Sequence, residues 1–530
     1  MTANLAELLR RAAAESPDRV ALVEAASGRQ LTWAELDDAV SRVAGGLAEQ
    51  GLVAGNRVVI ATANRIEFAT AYLAVLRARL VAVPVNPRSA TGELVRMVAD
   101  SGARLILADG TTIDAARAVA RGLHEALAGA DDELRARASE PRLVAVDCAL
   151  DEGEIGFHDL LAADPMELPE ARDPEALAVL LYTSGTSGRP RAAMLSHRAL
   201  VANLEQSAAV EPPMLTADDV VYGVLPLFHV YGLNAVLGQV LRHQAQLVVV
   251  DGFDVEGSLD DIASHGVTVV PVAPPVLAAW RGVEGLRERL AGVRVLMSGS
   301  APLAPEVVVD VSEISGLTVH QGYGLTEAAP VVTSTLCSSE AKPGSVGSAL
   351  PGVRIRLLDD SGSEPEHGDP GEILVAGDNL FDGYWPDGTD GPEDGWFATG
   401  DVGYLDADAD LFLVDRLKEL IIVSGFNVYP TEVEEVLSEV DGVLEAAVIG
   451  VPDEETGEAV VAYVRTDRDD AEDRARLADD VREACARRLA RFKQPSRVDV
   501  VDALPRTVTG KVARGRLRAT VRRQNLGLIE

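Results

Sequence analysis

The chain has 530 residues, of which 47% are hydrophobic and 25% are charged, so its composition is that of a globular protein. This length is too great for one ordinary hydrophobic core, and we expect two or more domains. The 48 basic and 83 acidic residues give a net charge of −35 at pH 7, a field that repels nucleic acid and anionic membranes, so we expect no nucleic-acid partner. The same charge repels anionic small molecules, so any such ligand needs local positive charge.

The three cysteines, Cys148, Cys337 and Cys485, lie far apart and show neither a metal-ligand spacing nor a disulfide framework. This pattern fits a reducing compartment. The amino terminus lacks the continuous apolar core of a secretion signal, and arginines and a proline interrupt the most apolar stretch, residues 73–85. We therefore expect a cytoplasmic protein without an integral membrane segment.

The first part of the chain alternates helical and extended patterns. Thr32 and Glu35 form a capping box at the start of an amphipathic helix that ends at Gly51. The elements predicted after it are a strand at 57–61, a helix at 67–79, a strand at 80–85, a helix at 92–100, a strand at 104–108 and helical structure over 111–140. Strands that alternate with helices predict parallel sheets covered on both faces.

Similar alternation continues through the centre of the chain. Residues 178–182 form an apolar run typical of a buried strand, and Ser196 is positioned to cap a helix that ends at Ala208. Farther along, glycine, proline and acidic residues become more frequent, and short strands are predicted at 353–358 and 372–376. This composition indicates a β-rich subdomain.

A boundary is predicted near Asp415, beyond which the pattern becomes a compact α+β one. The predicted elements of this last part are a helix at 433–440, strands at 443–451 and 459–465, and a charged helix at 473–489. We therefore predict an α/β protein in which residues 1–414 form a large domain of doubly wound α/β subdomains plus the β-rich subdomain. Residues 415–530 are predicted to form a small, mobile α+β domain.

The most informative segment follows the strand at 178–182 and reads Thr-Ser-Gly-Thr-Ser-Gly-Arg-Pro at residues 183–190. Its glycines allow a tight turn, and its hydroxyl and backbone N–H groups can surround a polyphosphate. Arg189 and Arg191 add positive charge, and guanidinium groups bind phosphate well. The segment does not match the Gly-x-x-x-x-Gly-Lys-Ser/Thr loop, and a loop of this composition is about as often a flexible connection.

Further loops with chemically useful residues follow in order along the chain. They are Ser298-Gly-Ser-Ala-Pro302, Gln321-Gly-Tyr-Gly-Leu-Thr-Glu327, Thr399-Gly-Asp401, Asp415-Arg-Leu-Lys418 and Pro505-Arg-Thr-Val-Thr-Gly-Lys511. The first two follow predicted strands, and open α/β sheets bind ligands at the carboxyl ends of their strands. Each motif alone is a weak signal, but six in order over more than 300 residues are a strong one.

In this order, from about Thr32 to Arg518, the motifs resemble those of the adenylate-forming enzymes, the superfamily of acyl-CoA synthetases, peptide-synthetase adenylation domains and firefly-type luciferases. Residues 415–429 are most similar to bacterial medium- and long-chain fatty acyl-CoA synthetases. The resemblance implies an enzyme that uses ATP and Mg²⁺ to convert a carboxylic acid into an acyl-adenylate with release of pyrophosphate. The acyl group would then pass to the thiol of coenzyme A.

The resemblance also implies where ATP binds. The β- and γ-phosphates would contact the glycine-rich loop, namely Thr183, Ser184, Gly185, Thr186, Ser187, Gly188 and Arg191. Adenine would lie along Gly299, Ser300 and Ala301 and against Tyr323 and Gly324. The ribose hydroxyls would bind Asp401 and Arg416.

The residues that the resemblance places closest to the reaction are Lys511, Glu327, Thr326 and His229. Lys511 would bridge the substrate carboxylate and the α-phosphate, and Thr326 would contact that phosphate. Glu327 would hold Mg²⁺, and His229 would stand beside the substrate carboxylate. Two anions must approach each other in this reaction, so positioning and cationic help are its main requirements.

A second group of residues is implied for transfer to the thiol. Asp415 matches the hinge about which the small domain would rotate after adenylation. Ser424, Gly425 and Phe426 would then border the channel for the pantetheine arm of coenzyme A.

The glycine-rich loop departs from the family pattern in one place. Where family members usually continue Pro-Lys-Gly, this chain has Pro190-Arg191-Ala192. Arginine keeps the positive charge but changes its geometry, and alanine lacks the conformational freedom of glycine. Slower adenylation and a non-catalytic, nucleotide-binding regulatory role are both open on this evidence, although intact Glu327, Asp401 and Lys511 argue against the second.

The identity of the acid is predicted from the residues expected to line its pocket, among which Asn234, Gly238 and Ala273 are small or apolar. The candidates are His229, Asn234, Gly238, Ala273 and Tyr323. They suit a fatty chain, and we find no charged residue among them that could pair with the ammonium group of an amino acid. An aromatic acid–CoA ligase and an acyl-AMP ligase that loads a carrier protein are the alternatives, and a homodimer is left open.

Overall fold

The computed structural model describes residues 3–127, 132–167, 173–184, 190–301, 303, 305–359, 362–366, 368–369, 371–416, 421–428, 430–468, 470–505, 512, 514, 517–518 and 521. The chain forms two compact units. The larger contains Met1–Tyr182 and Ala192–Asp415, and the smaller contains Thr183–Arg191 and Arg416–Glu530.

Helices are distributed along the whole larger unit. They are α1 (Ala6–Glu15), α2 (Trp33–Glu49), α3 (Ile66–Arg77), α4 (Thr91–Ser101), α5 (Ile113–Ala126), α6 (Asp132–Arg137), α7 (Phe157–Leu161), α8 (His197–Ala208), α9 (Gln239–His243), α10 (Val255–Ser264), α11 (Pro274–Trp280), α12 (Leu286–Arg289) and α13 (Pro305–Ser315). A π-helix spans Tyr231–Gly238, and a 3₁₀-helix spans Thr326–Ala328.

The strands of this part are mostly short. They are β1 (Val20–Glu24), β2 (Gln30–Thr32), β3 (Arg57–Ala61), β4 (Val81–Pro84), β5 (Leu105–Asp109), β6 (Arg142–Val146), β7 (Ile155–Gly156), β8 (Leu177–Ser184), β9 (Pro190–Ser196), β10 (Val220–Gly223), β11 (Gln246–Val249), β12 (Val269–Val272), β13 (Val295–Ser298), β14 (Val319–Gly324), β15 (Val331–Ser334), β16 (Ser348–Ala349), β17 (Arg354–Leu358), β18 (Gly371–Ala376), β19 (Phe397–Leu405) and β20 (Leu411–Arg416).

Two large sheets carry most of these strands. One has the order β7-β6-β5-β3-β4-β8-β9, and its pairs from β7 to β8 are parallel. The other has the order β16-β15-β14-β13-β12-β10-β11-β1-β2, with parallel pairs from β14 to β1 and antiparallel pairs at both ends. A smaller sheet has the order β17-β18-β19-β20. The predicted α/β class and the β-rich subdomain are confirmed.

Local signals in the sequence explain where several helices begin. Thr32 Oγ1 accepts from the backbone N–H of Glu35 at 3.2 Å, and the Glu35 carboxylate accepts from Thr32 N at 2.8 Å, so the capping box is confirmed. Ser196 caps α8 in the predicted way, because its hydroxyl accepts from Ala199 N. Over residues 111–140 the structure has α5 and α6, and residues 128–131 lie outside the described part.

Helix α3 forms the centre of the larger unit's core. Every residue from Ile66 to Arg77 is buried, and the apolar cluster around the helix takes side chains from both large sheets. A helix that is apolar on all sides must be covered on all sides. Its one buried cation, Arg77, donates to the carboxylate and the backbone carbonyl of Asp37 and to the hydroxyl of Ser41, as a buried charge requires.

The smaller unit has an α+β fold, as predicted. Its described elements are β21 (Ile421–Val423), β22 (Phe426–Val428), α14 (Pro430–Ser438), β23 (Glu445–Asp453), β24 (Gly457–Arg465), α15 (Ala471–Arg488), a 3₁₀-helix (Arg491–Lys493) and β25 (Arg497–Val501). The sheet order is β22-β21-β24-β23, and β25 pairs with β24. One face packs against α14 and α15, and Leu517 and Val521 cover apolar residues of the other face.

Two ion pairs fix the helix α14 of the smaller unit. Glu434 accepts from both Arg514 Nη2 and Arg514 Nε, and it also accepts from the backbone N–H of Val448 on β23 at 2.7 Å. Glu432 pairs with the buried ammonium group of Lys493 at 2.8 Å. Of the residues that the structure describes, none belongs to a helix long and apolar enough to cross a membrane.

Tyr222 on β10 allows the cost of burying an unpaired hydroxyl in the core to be measured. Its ring is fully buried, and its hydroxyl has no hydrogen-bond partner among the described residues. Burying an unpaired hydroxyl costs about 1–3 kcal/mol. We therefore expect Tyr222→Phe, which keeps the ring, to raise the free energy of unfolding by about 1 kcal/mol in denaturant titrations.

The matched control is Tyr182→Phe. The hydroxyl of Tyr182 donates to Asp100 Oδ2 at 2.8 Å, so its removal breaks a hydrogen bond to a carboxylate and should lower stability. A Tyr222→Phe protein that lost as much stability as Tyr182→Phe would contradict the assignment of an unpaired hydroxyl.

Candidate active site

Two of the predicted loops leave the same edge of the nine-stranded sheet. Strands β13 and β14 are parallel neighbours, with Ser298 opposite Gln321. The loop that contains Gly299, Ser300 and Ala301 follows β13, and the 3₁₀-helix with Glu327 follows β14. The sheet therefore places these predicted nucleotide-binding segments side by side.

The loop after β13 is tightly constrained. Ser300 has a φ of +76°, a conformation that is strained for a residue with a side chain and that occurs often at functional sites. A Cβ atom on Gly299 would lie 2.9 Å from Cε1 of Tyr231, so the aromatic ring lies directly against the glycine backbone. Burial raises the pKa of Tyr231.

Glu327 is held by a segment that carries none of the predicted site residues. Its Oε1 accepts from the Tyr384 hydroxyl at 2.5 Å, and its backbone carbonyl accepts from Phe381 N at 2.9 Å. The side chain of Asn379 donates to the carbonyl of the next residue, Ala328, at 2.7 Å. Segment 379–384 thus fixes both the backbone and the carboxylate of the predicted metal ligand.

The donor chemistry around Glu327 suits Mg²⁺ bound together with a nucleotide. Among the residues that the structure describes there is no group of three or more His, Cys, Asp or Glu side chains that could hold a metal ion. Mg²⁺ at phosphate sites commonly takes one or two protein carboxylates and completes its shell with phosphate oxygens and water. The oriented carboxylate of Glu327 therefore suffices as the protein ligand of a Mg²⁺ ion that arrives bound to phosphate.

Asp401 and Tyr323 come from different sheets and meet in the structure. Asp401 lies on β19 of the four-stranded sheet, and Tyr323 lies on β14 of the nine-stranded sheet. The Tyr323 hydroxyl donates to Asp401 Oδ2 at 2.7 Å. The residues expected at the ribose and at the adenine are therefore neighbours, although their motifs are far apart in the sequence.

His229 lies in a segment that is fixed by a buried amide. Nδ2 of Asn64 donates to the carbonyls of Leu225 at 2.9 Å and Val250 at 3.1 Å, and its Oδ1 accepts from Leu227 N at 2.9 Å. His229 Nδ1 accepts from Tyr231 N at 3.3 Å. Burial lowers the pKa of His229 to about 4, so the ring is neutral near pH 7.

The other residues predicted for the acyl pocket have varied surroundings. Asn234 is fully buried on the π-helix and donates to the carbonyls of Leu200 and Ala329. A Cβ atom on Gly238 would lie 2.6 Å from Asn234 Oδ1, so this glycine allows close packing. Ala273 follows β12 and is partly exposed. Their contact with an acyl group stays a prediction.

Part of the predicted phosphate site lies outside the described residues. Gly185, Thr186, Ser187 and Gly188 belong to that part, as does Lys511. Thr183 is described and its hydroxyl donates to the carbonyl of Arg191 at 3.3 Å, while Ser184 ends strand β8.

Ala192 explains how the chain accommodates its departure from Pro-Lys-Gly. Its methyl group is completely buried in an apolar cluster with Leu180, and its carbonyl accepts from Trp385 N at 2.8 Å. The alanine therefore fills a core position at this point of the strand.

The remaining predicted positions lie in or at the start of the smaller unit. Ser424 and Gly425 both have positive φ values, +51° and +81°, in the turn between β21 and β22. Phe426 stacks on Phe492 with ring centroids 4.6 Å apart. The chain passes from one unit to the other after Asp415, and Arg416 is the last residue of β20. The hinge and coenzyme A roles stay predictions.

Comparison with known proteins identifies the family. Residues 9–385 match the family described as AMP-binding enzyme, and residues 432–511 match the AMP-binding enzyme C-terminal domain. The chain belongs to the AMP-binding enzyme family. One relative of this AMP-binding enzyme is 4-coumarate–CoA ligase 5 of Oryza sativa subsp. japonica. The two sequences are 34% identical over 522 residues, which cover 96% of this chain and 92% of that protein.

Solved structures agree with this assignment. The o-succinylbenzoate CoA synthetase of Bacillus subtilis matches this AMP-binding enzyme with a TM-score of 0.80 and 28% identity, over 97% of this chain and 98% of that chain. The fatty acyl CoA synthetase of Mycobacterium tuberculosis has a TM-score of 0.67 and 28% identity, over 98% of each chain. The resemblance to adenylate-forming enzymes is confirmed, as is the fold with a large amino-terminal and a small carboxyl-terminal domain.

Asn64 gives a direct test of how the His229 segment of this AMP-binding enzyme is held. Asn64→Ala leaves Leu227 N and the carbonyls of Leu225 and Val250 without this partner, and each buried unpaired group costs about 1–3 kcal/mol. We expect the free energy of unfolding to fall by about 3 kcal/mol or more in denaturant titrations. Asn86→Ala, which removes only a local turn contact to Arg88 N, should change it by less than about 1 kcal/mol.

The buried histidines predict a dependence of stability on pH. Burial lowers the pKa values of His197 and His229 from 6.5 to about 4. Below pH 6.5 the unfolded chain binds protons that the folded chain does not bind until about pH 4, so these residues make the free energy of unfolding fall as the pH decreases through that interval. Above pH 6.5 they contribute nothing.

The contribution of His197 can be isolated by substitution. Its Nδ1 accepts from Leu5 N, and the amide oxygen of Asn can take that role without titrating. Unfolding free energies of His197→Asn and the wild type, measured from pH 7 to pH 4, should differ in slope, with the variant less sensitive to acid. Parallel curves would show that His197 titrates alike in the folded and unfolded chains.

Proposed function

We propose that this protein is an ATP-dependent acid–CoA ligase that forms AMP. The observation that carries the proposal is the hydrogen bond between Tyr323 and Asp401, because Tyr323 lies on the strand that leads into the Glu327 segment and a nucleotide would need its ribose and metal contacts there. The matches of both parts of the chain to the AMP-binding enzyme family support it.

In the proposed reaction, a carboxylate oxygen of the acid attacks the α-phosphorus of ATP and pyrophosphate leaves. Mg²⁺ held by Glu327 would supply positive charge to the phosphate oxygens. Lys511 would stabilise the charge that develops at the α-phosphate, and the neutral ring of His229 would stand beside the acid without trapping it in a salt bridge. The substrate carboxylate and ATP are both anions, and the protein itself carries a strong negative charge. Local cations are therefore needed to bring the two together.

In the second step the sulfur of coenzyme A attacks the carbonyl carbon of the acyl-adenylate. A carbon–sulfur bond forms, the carbon–oxygen bond to the phosphate breaks, and AMP leaves while the thiol proton passes to solvent. Ser424, Gly425 and Phe426 are proposed to border the coenzyme A channel. The left-handed backbone at Ser424 and Gly425 gives a compact turn that a pantetheine arm could pass closely.

For the acid, we propose an aromatic carboxylic acid. The 4-coumarate–CoA ligases match nearly the whole chain at up to 34% identity, and the neighbour with the TM-score of 0.80 is named for o-succinylbenzoate. The preference for a fatty acid that the sequence indicated becomes the second candidate, which the likeness to the mycobacterial fatty acyl CoA synthetase supports.

The test is AMP formation from ATP and Mg²⁺ with hydroxycinnamic, benzoic and straight-chain fatty acids, with and without coenzyme A. We expect turnover that depends on coenzyme A and is highest with an aromatic acid. A maximum on a fatty acid would favour the second candidate. Transfer to a carrier protein instead of coenzyme A would identify an acyl-AMP ligase, and nucleotide binding without turnover on any acid would identify a regulatory protein.

Lys511→Ala separates the two half-reactions. We expect adenylation, measured by exchange of pyrophosphate into ATP, to fall about 100-fold or more, because the charge on the α-phosphate loses its partner. Thioester formation from supplied acyl-adenylate should stay within a few-fold of wild type. The control Lys342→Arg keeps a cation against Asp406 and Asp410 and should retain both activities. Normal adenylation by Lys511→Ala would overturn the assigned role.

A further inference from the structure

Tyr384 forms the contact with Glu327 that no sequence motif singled out. Its hydroxyl lies 2.5 Å from Glu327 Oε1, a distance typical of an O–H group that donates to an ionised carboxylate. The two residues are 57 positions apart, so the contact depends on the fold. The tyrosine ring is 8% exposed, so the hydroxyl approaches the carboxylate from the protein interior.

The ring of Tyr384 is fixed on one side by aromatic packing. Phe381 lies edge-on to it with ring centroids 5.0 Å apart, and Phe381 contacts Phe397 in the same way. Such aromatic pairs add stability beyond the area that they bury. The phenol therefore has little freedom to leave the carboxylate.

The backbone around Tyr384 is fixed as well. Residues on both sides of it pair with strand β9, since Trp385 N donates to the Ala192 carbonyl at 2.8 Å and Met194 N donates to the Gly383 carbonyl at 3.0 Å. Asp382 N donates to the Met194 carbonyl at 2.9 Å. The tyrosine is thus attached to the strand that follows the glycine-rich loop.

We propose that Tyr384 is a positioning residue that holds the Glu327 carboxylate in the orientation for binding the divalent cation of the metal–nucleotide complex. A glutamate side chain has three rotatable bonds, and one strong hydrogen bond to a fixed donor selects a single arrangement. Outer partners of metal-binding carboxylates act in this way in many sites. The inference rests on the proposed function, because it takes Glu327 as the metal ligand.

The test uses Mn²⁺ as the probe and full-length protein with a non-hydrolysable ATP analogue. Electron paramagnetic resonance of free Mn²⁺ gives the affinity of the protein–nucleotide complex for the metal without any turnover. Tyr384→Phe keeps the ring and its packing but removes the hydroxyl. We expect Mn²⁺ affinity to fall about tenfold, and the Mg²⁺ concentration for half-maximal pyrophosphate exchange to rise by a similar factor.

Two control variants separate the hydrogen bond from packing. Tyr404→Phe removes a hydroxyl from a ring that stacks on Phe412, and it should leave Mn²⁺ affinity unchanged. Phe381→Leu disturbs the aromatic cluster but leaves the phenol in place, so it should lower the unfolding free energy more than it lowers Mn²⁺ affinity. If Phe381→Leu weakened the metal as much as Tyr384→Phe, packing would be the cause and the proposal would fail.

A double-mutant cycle shows whether Tyr384 acts through Glu327. On a Glu327→Ala background, Tyr384→Phe should have no further effect on Mn²⁺ affinity, whereas independent effects would add and would overturn the proposal. Equal or tighter Mn²⁺ binding by Tyr384→Phe alone would also overturn it. A wild-type protein that binds neither the metal–nucleotide complex nor turns over any acid would instead contradict the proposed function.

Discussion

One buried carboxamide joins the two large sheets at the candidate active site. Asn64, just beyond β3 of one sheet, bonds Leu225, Leu227 and Val250 beyond β10 and β11 of the other. A polar group costs little free energy to bury when all its hydrogen bonds are made. Each hydrogen bond that is lost leaves a buried donor or acceptor without a partner, which destabilises the fold. This amide therefore determines where the segment with His229 and the following π-helix lie against the first sheet.

The two carboxylates expected to contact the nucleotide are each oriented by a tyrosine hydroxyl. Tyr323 donates to Asp401 and Tyr384 donates to Glu327. A phenol orients a carboxylate without neutralising it, so the negative charge remains available to a metal ion or to ribose hydroxyls. In a protein of net charge −35, retaining this charge favours a nucleotide that arrives with its metal.

The sequence predicted local structure well because local signals determine it. The strand predicted at 57–61 has the bounds of β3, since the apolar run that follows Arg57 is buried throughout. The contact between Tyr384 and Glu327 was not predictable, because it joins a non-periodic stretch to a short 3₁₀-helix 57 residues away in the sequence. Asn234 shows that side-chain chemistry alone is a poor guide to a pocket, since its amide is fully buried and bonds two backbone carbonyls. The order of the strands likewise depends on packing between distant segments.

The attachment of segment 382–385 to strand β9 has a consequence for recombining this protein with its relatives. The backbone bonds of Ala192 and Met194 run directly to Trp385, Asp382 and Gly383, and an alanine fills the core at the first of these positions. The two stretches behave as one exchangeable block that is discontinuous in sequence. A chimera that imports one stretch alone would join backbone segments from different proteins, whereas one that imports both keeps these backbone hydrogen bonds between matched partners.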